Sequence, residues 1–367
     1  MFLSSPFTDA FGLDIGDLSL KLVQLSKRYG FRQEPSFVVK EIRSLRLPPG
    51  YIVNGELQQP EMVRKKLLQI LGREGKLKPI KSPWVVADLP EPKTFLKLIT
   101  IDMPAEEITE DDVSYHAKKH LLYELGDTYI DWQIIPPASR TPKNQTQILL
   151  GAVPKVTSDS YTYLLNSAGL TPLALEIEAI SIARAMVTAG KSYVGEARAI
   201  LDLGATRSSF IVYDNSSIQF SMNLGFSGEL ITIALMQEFK LDYEQAEALK
   251  LKNGLNFDET LPNYLKVVTE VTHQLVAQIK TALSFYKEHF AVTNPITRIV
   301  MCGGNANLAK LDNFISRQLK IAAHPGHPWK NLNNRHFSEK DNTDALPMAS
   351  AIGLGLRAAS YEIPAKW

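Results

Sequence analysis

A short motif occurs twice in this chain. Leu13-Asp14-Ile15-Gly16 returns as Leu201-Asp202-Leu203-Gly204, 188 residues further on. The echo continues, with Leu22, Val23 and Leu25 aligning with Phe210, Ile211 and Tyr213 at the same offset. Each copy predicts a strand, a tight turn and a returning strand. The aspartate projects at the strand tip, and the glycine lets the backbone turn close to a ligand. One such copy is an ordinary hairpin end. Two at matched spacing imply two halves of similar build.

Length agrees with a divided molecule. A chain of 367 residues exceeds the ~250–300 that one hydrophobic core usually serves, so at least two subdomains are expected. A hydrophobic fraction of 45% with 22% charged residues excludes a wholly disordered chain. Forty basic and thirty-nine acidic residues leave a formal charge of +1, which argues against a nucleic-acid binder. A lone cysteine, Cys302, excludes an intrachain disulfide and a Cys-based zinc cluster, and a reducing cytosol is expected. No run reaches ~18 uncharged apolar residues, so no membrane-spanning helix is expected. Met1 to Ala10 lacks the basic and apolar regions of a signal peptide. Tyr361 to Trp367 is too short for an amphipathic anchor, so membrane attachment would have to come through a partner.

Other elements fall around the hairpins. Strands are expected over about Phe37 to Leu45, Trp84 to Ala87, Ile130 to Ile135, Gln147 to Val153 and Ile299 to Met301. Helices are expected over about Pro60 to Gly72, Thr109 to Leu125, Thr157 to Ala168 and Leu175 to Gly190. Further helices follow over Gly228 to Lys240, Asp242 to Leu251, Tyr264 to His289 and Ala306 to Leu319. A last one should start at Pro347 and end near Ala359. Asn331 to Asp344 reads as a polar loop. Pro92 to Pro172 has its own strand-helix-strand-strand-helix order and reads as a small inserted α/β subdomain.

The chemistry gathers at three turns. After the strand Ile299-Val300-Met301, Cys302-Gly303-Gly304-Asn305 offers backbone without side chains and a helix start with free N–H groups. Two Asp-x-Gly hairpins can clamp a polyphosphate from either side, and their aspartates can hold Mg²⁺ through water. Other features read as structure. His116 and His120 are predicted on a surface helix, with no Glu in the spacing of a zinc protease. Gly225-Phe226-Ser227-Gly228 lacks the second spacer of a nucleophile elbow. Cys302 reads as a small buried residue.

Together these residues resemble the actin-like ATPase superfamily, and within it the type IV pilus assembly protein PilM family, over Gly12 to Ala359. Leu175-Glu176-Ile177-Glu178-Ala179 and His327-Pro328-Trp329 also look like segments of that family. The resemblance implies a duplicated α/β fold around a nucleotide cleft. The first half would be residues 11–91 with 173–190 and 347–360, the small subdomain 92–172 and the second half 191–346. It implies ATP or ADP with Mg²⁺ as cofactors. Asp14 and Asp202 would hold Mg²⁺, Gly16, Ser19, Lys21, Gly204 and Arg207 would meet phosphates, and Gly303, Gly304 and Asn305 the nucleoside. Glu247 and Lys250 would reach the ribose or base, and Glu176 or Glu178 would orient water for a slow hydrolysis. Two departures stand out. Cys302 and Asn305 replace a glycine and a serine of the family turn, and Asp17 stands in the first phosphate loop where a small neutral residue is usual. A carboxylate there is unfavourable beside phosphates unless Mg²⁺ or Lys21 offsets it.

The implied role is a cytoplasmic ATP-binding scaffold of pilus or related secretion assembly, peripheral to the inner membrane. Its partners would be the cytoplasmic tail of a PilN-like inner-membrane protein, other assembly-platform and motor proteins, and a second copy of itself. A small-molecule kinase of the superfamily and an FtsA-like division protein are the alternatives. The first needs a catalytic base and a substrate pocket that no motif supplies, and the second a longer C-terminal amphipathic helix. The peptide groove is expected where the small subdomain meets the first half. Of the subdomain's aromatics (Phe95, Tyr115, Tyr123, Tyr129, Trp132, Tyr161, Tyr163), most are expected in its core.

Overall fold

The structure is a computed structural model. It describes residues 7, 9–28, 36–121, 123–137, 142, 144–290, 292–332 and 339–360. The readings made for the first six residues, for 333–338 and for 361–367 lie outside the described residues.

Apolar alternation drives the first half. β1 (Phe11–Ile15) returns antiparallel as β2 (Ser19–Arg28), which pairs with β3 (Ser36–Arg46). A two-residue turn, Asn54-Gly55, joins β4 (Ile52–Val53) to β5 (Glu56–Leu57). Both turn residues have positive φ, 49° and 75°, the conformation for which Asn-Gly is favoured. α1 (Pro60–Ile70) starts on a proline and buries Val63, Leu67 and Ile70 at helical spacing. β6 (Trp84–Leu89) runs parallel to β1. β7 (Phe95–Ile101), α2 (Glu110–Lys118), β8 (Thr128–Ile135) and β9 (Thr146–Pro154) follow, then α3 (Lys155–Ser167), β10 (Thr171–Ile177) and α4 (Glu178–Met186).

The second half repeats the opening. β11 (Ala197–Leu203), β12 (Ser208–Asp214) and β13 (Ser217–Leu224) form an antiparallel meander. α5 (Gly228–Phe239), α6 (Tyr243–Asn253) and α7 (Tyr264–His289) lead to β14 (Ile296–Cys302), α8 (Leu311–Leu319) and β15 (Ala322–Pro325). α9 (Glu339–Ala345) and α10 (Ala349–Ser360) end the described chain.

The sheets confirm the duplication. One has the order β10-β6-β1-β2-β3, and the other contains β15-β14-β11-β12-β13, the same order with the same parallel and antiparallel neighbours. The second sheet then continues through β7, β9 and β8, so it has eight strands. The join is narrow, with Phe220 opposite Lys97 as its registered pair. α4 and α10 cross where the halves meet. Gly353 makes that approach possible, because a Cβ there would lie 1.8 Å from the Ser181 carbonyl oxygen.

Packing redraws one boundary. The expected subdomain 92–172 includes α3, but Tyr161, Leu164 and Leu165 of α3 share a core with Phe11, Leu13, Val85 and Leu67 of the first half. The separate small core holds Ile99, Ile101, Val113, Ala117, Ile148 and Leu150, from β7, α2 and β9. α3 precedes β10 as α8 precedes β15, so it belongs to the repeated plan and the insertion proper is β7 to β9.

Several element readings need correction. The helix expected from Thr109 to Leu125 ends at Lys118, which leaves His120 beyond the helix end. Leu175, Glu176 and Ile177 are strand, since pairing with buried β6 overrides their helix propensity, and the helix begins only at Glu178. Ala306 lies in a 3₁₀ turn, and the helix starts at Leu311. Pro347 likewise sits in a 3₁₀ turn before α10, and Glu339–Ala345 is helix, not loop. Of the seven subdomain aromatics only Tyr161 is fully buried, and Tyr115, Tyr123, Tyr129 and Tyr163 are exposed. These rings are surface features, because the small core is filled by aliphatic side chains.

Candidate functional site

Both hairpins close in the same way. The Gly16 amide donates to the Ser19 carbonyl at 3.0 Å, and the Gly204 amide to the Arg207 carbonyl at 2.9 Å. These turns face each other across a cleft of about 180 Å³ between the halves. Asp14, Gly16, Ser19 and Lys21 line one side and Asp202, Gly204 and Arg207 the other, with Glu178 from α4 and Gly303 and Gly304 completing it. Gly303 has φ 82°, and a Cβ there would meet the Leu203 carbonyl at 2.5 Å and Asp202 at 2.7 Å. Gly304 faces open space. The Gly-Gly turn therefore exposes bare backbone to the cleft, as close approach of a ligand requires.

Four expected residues stand elsewhere. Asn305 braces the second loop, its amide donating to the Gly204 carbonyl at 2.8 Å. Lys250 is buried with its ammonium 3.1 Å from the Gly228 carbonyl, 3.0 Å from Thr232 and 2.7 Å from Glu247. Glu247 and Lys250 thus tie α6 to α5, and neither lines the cleft. Glu176 is gripped by Arg184 through two contacts of 2.7 and 2.8 Å, with Arg357 at 3.6 Å, and lines a second cavity. Strand alternation would put Glu176 and Glu178 on one face, but the chain turns from β10 into α4 between them. Glu178, at the first turn of α4, is the acid that reaches the cleft.

A buried acid that motif reading missed stands behind Asp14. Asp88, the penultimate residue of β6, lies one step beyond the registered pair Leu13–Ala87 and so comes beside Asp14. It accepts from the Ile15 amide at 3.0 Å and from Ser350 at 3.1 Å, and Ser350 in turn lies 3.1 Å from Ser181. Asp88 thereby links the first loop to both crossing helices. Asp14, Asp88 and Glu178 each place an oxygen within 4.8 Å of the others. Burial, then the neighbouring Asp14 charge, pushes the Asp88 carboxyl up to about 8. Burial also raises Glu178 well above, and Asp202 above, its ordinary value. Lys21 donates to Asp14 at 2.9 Å. Burial pulls its ammonium down, but the Asp14 charge and hydrogen bond prevail and hold it above its ordinary value.

Asp17 also faces the cleft, and Arg207, not Lys21, offsets it. Its carboxylate takes the Arg207 guanidinium at 2.9 Å, the Asn54 and Gly55 amides at 3.1 and 3.2 Å, and the Thr206 hydroxyl at 3.4 Å. The Asn-Gly turn that supplies two of these donors has a strong hairpin signature in the sequence that went unread. Cys302 is buried with its thiol 3.5 Å from Asp202. Burial and that charge raise the thiol well above its normal value, so it is held neutral.

The donor set suits a divalent cation and phosphates. Converging carboxylate oxygens are the ligands Mg²⁺ takes, and two cations with exposed loop backbone are what phosphate oxygens take.

A second cavity of about 390 Å³ lies where the insertion meets the first half. Tyr129, Trp132 and Leu149 of β8 and β9 form one wall, and Leu175, Ile177 and Ile180 of β10 and α4 the other. Among the described residues no helix is long and apolar enough to cross a membrane.

Known structures share this arrangement. A chain of the PilM-PilN type IV pilus biogenesis complex is 22% identical, with 97% of this chain and 100% of that one covered, at a TM-score of 0.79. MreB 5 of Spiroplasma citri bound to AMPPNP is 12% identical, covering 96% of each chain, at 0.53. The ethanolamine utilization protein EutJ from Carboxydothermus hydrogenoformans is 14% identical, covering 94% of this chain and 88% of that one, at 0.50. The repeated hairpins therefore belong to an actin-like ATPase fold. A family profile described as type IV pilus assembly protein PilM matches residues 12–359, a span that contains both hairpins, the Gly-Gly turn and the whole inserted subdomain, and the chain belongs to that family.

Proposed function

We propose that this chain is a cytoplasmic scaffold of type IV pilus or related secretion assembly, holding a nucleotide between its halves and a membrane partner's tail in its second cavity. The observation that carries this reading is the cavity between β8–β9 and β10–α4. It is walled by aromatic and aliphatic side chains on two sheets and is large enough for a short apolar peptide. The partner would be the cytoplasmic tail of a PilN-like inner-membrane protein, which supports a location peripheral to that membrane. Contacts to motor proteins and to a second copy belong to the same reading.

In the cleft, Arg207 and Lys21 would meet phosphate oxygens beside the backbone of Gly16, Ser19 and Gly204. Gly303 and Gly304 would leave room for the nucleoside. Asp14 and Asp202 would hold Mg²⁺ through water, with Asp88 and Glu178 close by. Bound there, the ion would neutralise phosphate charge that the carboxylates otherwise repel. Glu178 would orient water, and burial raises its carboxyl well above the ordinary value, away from that of a ready base. Turnover should be slow, and steady-state ATP hydrolysis above ~1 s⁻¹ would contradict a scaffold.

Titration calorimetry with the tail peptide tests the groove. Gly151 of β9 faces the Ile177 side chain, with a Cβ 3.1 Å from it. Gly151→Phe should fill the cavity and weaken binding at least ~10-fold, about 1.4 kcal/mol. Undiminished binding by the folded variant would remove the peptide from this cavity.

A further inference from the structure

The environment of Asp17 is that of a bound anion. Two backbone amides from a left-handed turn, a hydroxyl and a guanidinium converge on one carboxylate whose side chain is 5% exposed. Successive amides in such a turn form the concave anion seat used for phosphates elsewhere. The donors come from both halves. Asn54 and Gly55 belong to the first, Thr206 and Arg207 to the second, and the Asp17–Arg207 pair spans 190 positions of sequence. Tyr161 of α3 holds the turn from behind, its hydroxyl donating to the Gly55 carbonyl at 3.1 Å. At the equivalent place in the second loop stands Ala205, which brings no charge.

We infer that Asp17 is an internal substitute for a phosphate group: it occupies the anion seat shared by the two loops, and a polyphosphate must displace it from Arg207. This deepens the nucleotide reading of the cleft and rests on it. Two consequences follow from the geometry. The halves are latched together without a ligand, which suits the small cleft of about 180 Å³, below the ~300–1,000 Å³ of most small-molecule sites. And nucleotide affinity is set by competition between a carboxylate already seated and the incoming phosphates. Lys21 is similarly engaged by Asp14, so both cations of the cleft are occupied by carboxylates before a ligand arrives.

The experiment compares the full chain with Asp17→Ala and Asp17→Ser. Affinity for ATP and ADP with Mg²⁺ is measured by calorimetry, and the thermal midpoint is followed with and without inorganic pyrophosphate. Both variants should bind nucleotide at least 10-fold tighter than the parent. Without an anion they should melt lower, and pyrophosphate should restore the midpoint in the variants while leaving the parent unchanged. Equal or weaker nucleotide binding by the variants, with the parent binding measurably, would overturn the inference and leave the nucleotide reading intact. If neither parent nor variants bind nucleotide at millimolar levels, that reading fails and pyrophosphate decides the inference. A midpoint rise confined to the variants supports an anion seat vacated by Asp17. No rise in any of the three proteins overturns it.

Discussion

The two halves share a strand order and a hairpin geometry, yet they bring different charge to the cleft. The first half contributes Asp14, Asp17 and Lys21, with Glu178 from the helix that follows β10 and Asp88 buried beside Asp14. The second contributes Asp202, Arg207 and the bare Gly303-Gly304 turn. By register Asp88 on β6 corresponds to Cys302 on β14, each beside the aspartate of its own hairpin. Duplication has kept the backbone plan, which dictates where a ligand can approach. Divergence has acted on side chains, which dictate what approaches and how tightly.

Breaking the seam between the halves should have the largest effect. Gly353→Val places a branched side chain where even a Cβ would lie 1.8 Å from the Ser181 carbonyl oxygen. The helices must move apart, and the expected cost is ~3 kcal/mol or more, read from the denaturant midpoint.

The charge asymmetry should appear as a pH dependence. The raised carboxyls of Asp88, Glu178 and Asp202 make the folded state bind more protons than the unfolded chain. Their stabilisation is therefore complete below about pH 4 and is lost as the pH rises toward about 8. Asp88→Asn should flatten the part of that decline due to Asp88, by at most about 1.4 kcal/mol per pH unit. A melting profile unchanged by Asp88→Asn between pH 5 and pH 8 would show that this buried acid does not titrate with folding. Cys302→Asp gives the reciprocal test. It makes the second half resemble the first, and should destabilise more at pH 8 than at pH 5.

Smaller effects test how the first loop is braced. Tyr161→Phe removes the hydrogen bond to the Asn-Gly turn and should cost about 1 kcal/mol by chemical denaturation. Thr109→Ala removes the capping box of α2, in which Thr109 and Asp112 bond reciprocally. It should cost a similar ~1 kcal/mol, while nucleotide binding stays unchanged.

Much of this plan was legible in the sequence, for a physical reason. A turn that needs glycine after an apolar-Asp-apolar strand leaves a fixed spacing, and a second copy makes that spacing specific. Asp14, Asp202 and the Gly-Gly turn were found that way. Asp88 was not, because its importance comes from pairing with β1, a contact between segments about seventy residues apart. Glu176 and Glu178 could not be separated by spacing, because the strand-to-helix boundary falls between them and only the pairing with β6 fixes it. Asn54-Gly55 carried a readable signal, but nothing local tied that turn to Asp17. The aromatics of the insertion were misplaced because composition cannot say which rings a small aliphatic core leaves outside.

The narrow join between β7 and β13 gives the second cavity an unusual mechanical property. One wall, β8–β9, is carried through β7 on the sheet of the second half, and β10 of the other wall belongs to the sheet of the first, while α4 packs between the halves. A rotation that moves the first sheet away from the second would widen the gap between β8–β9 and β10. The cavity is therefore a gauge of the angle between the sheets, and a chain lodged in it would wedge that angle at one value.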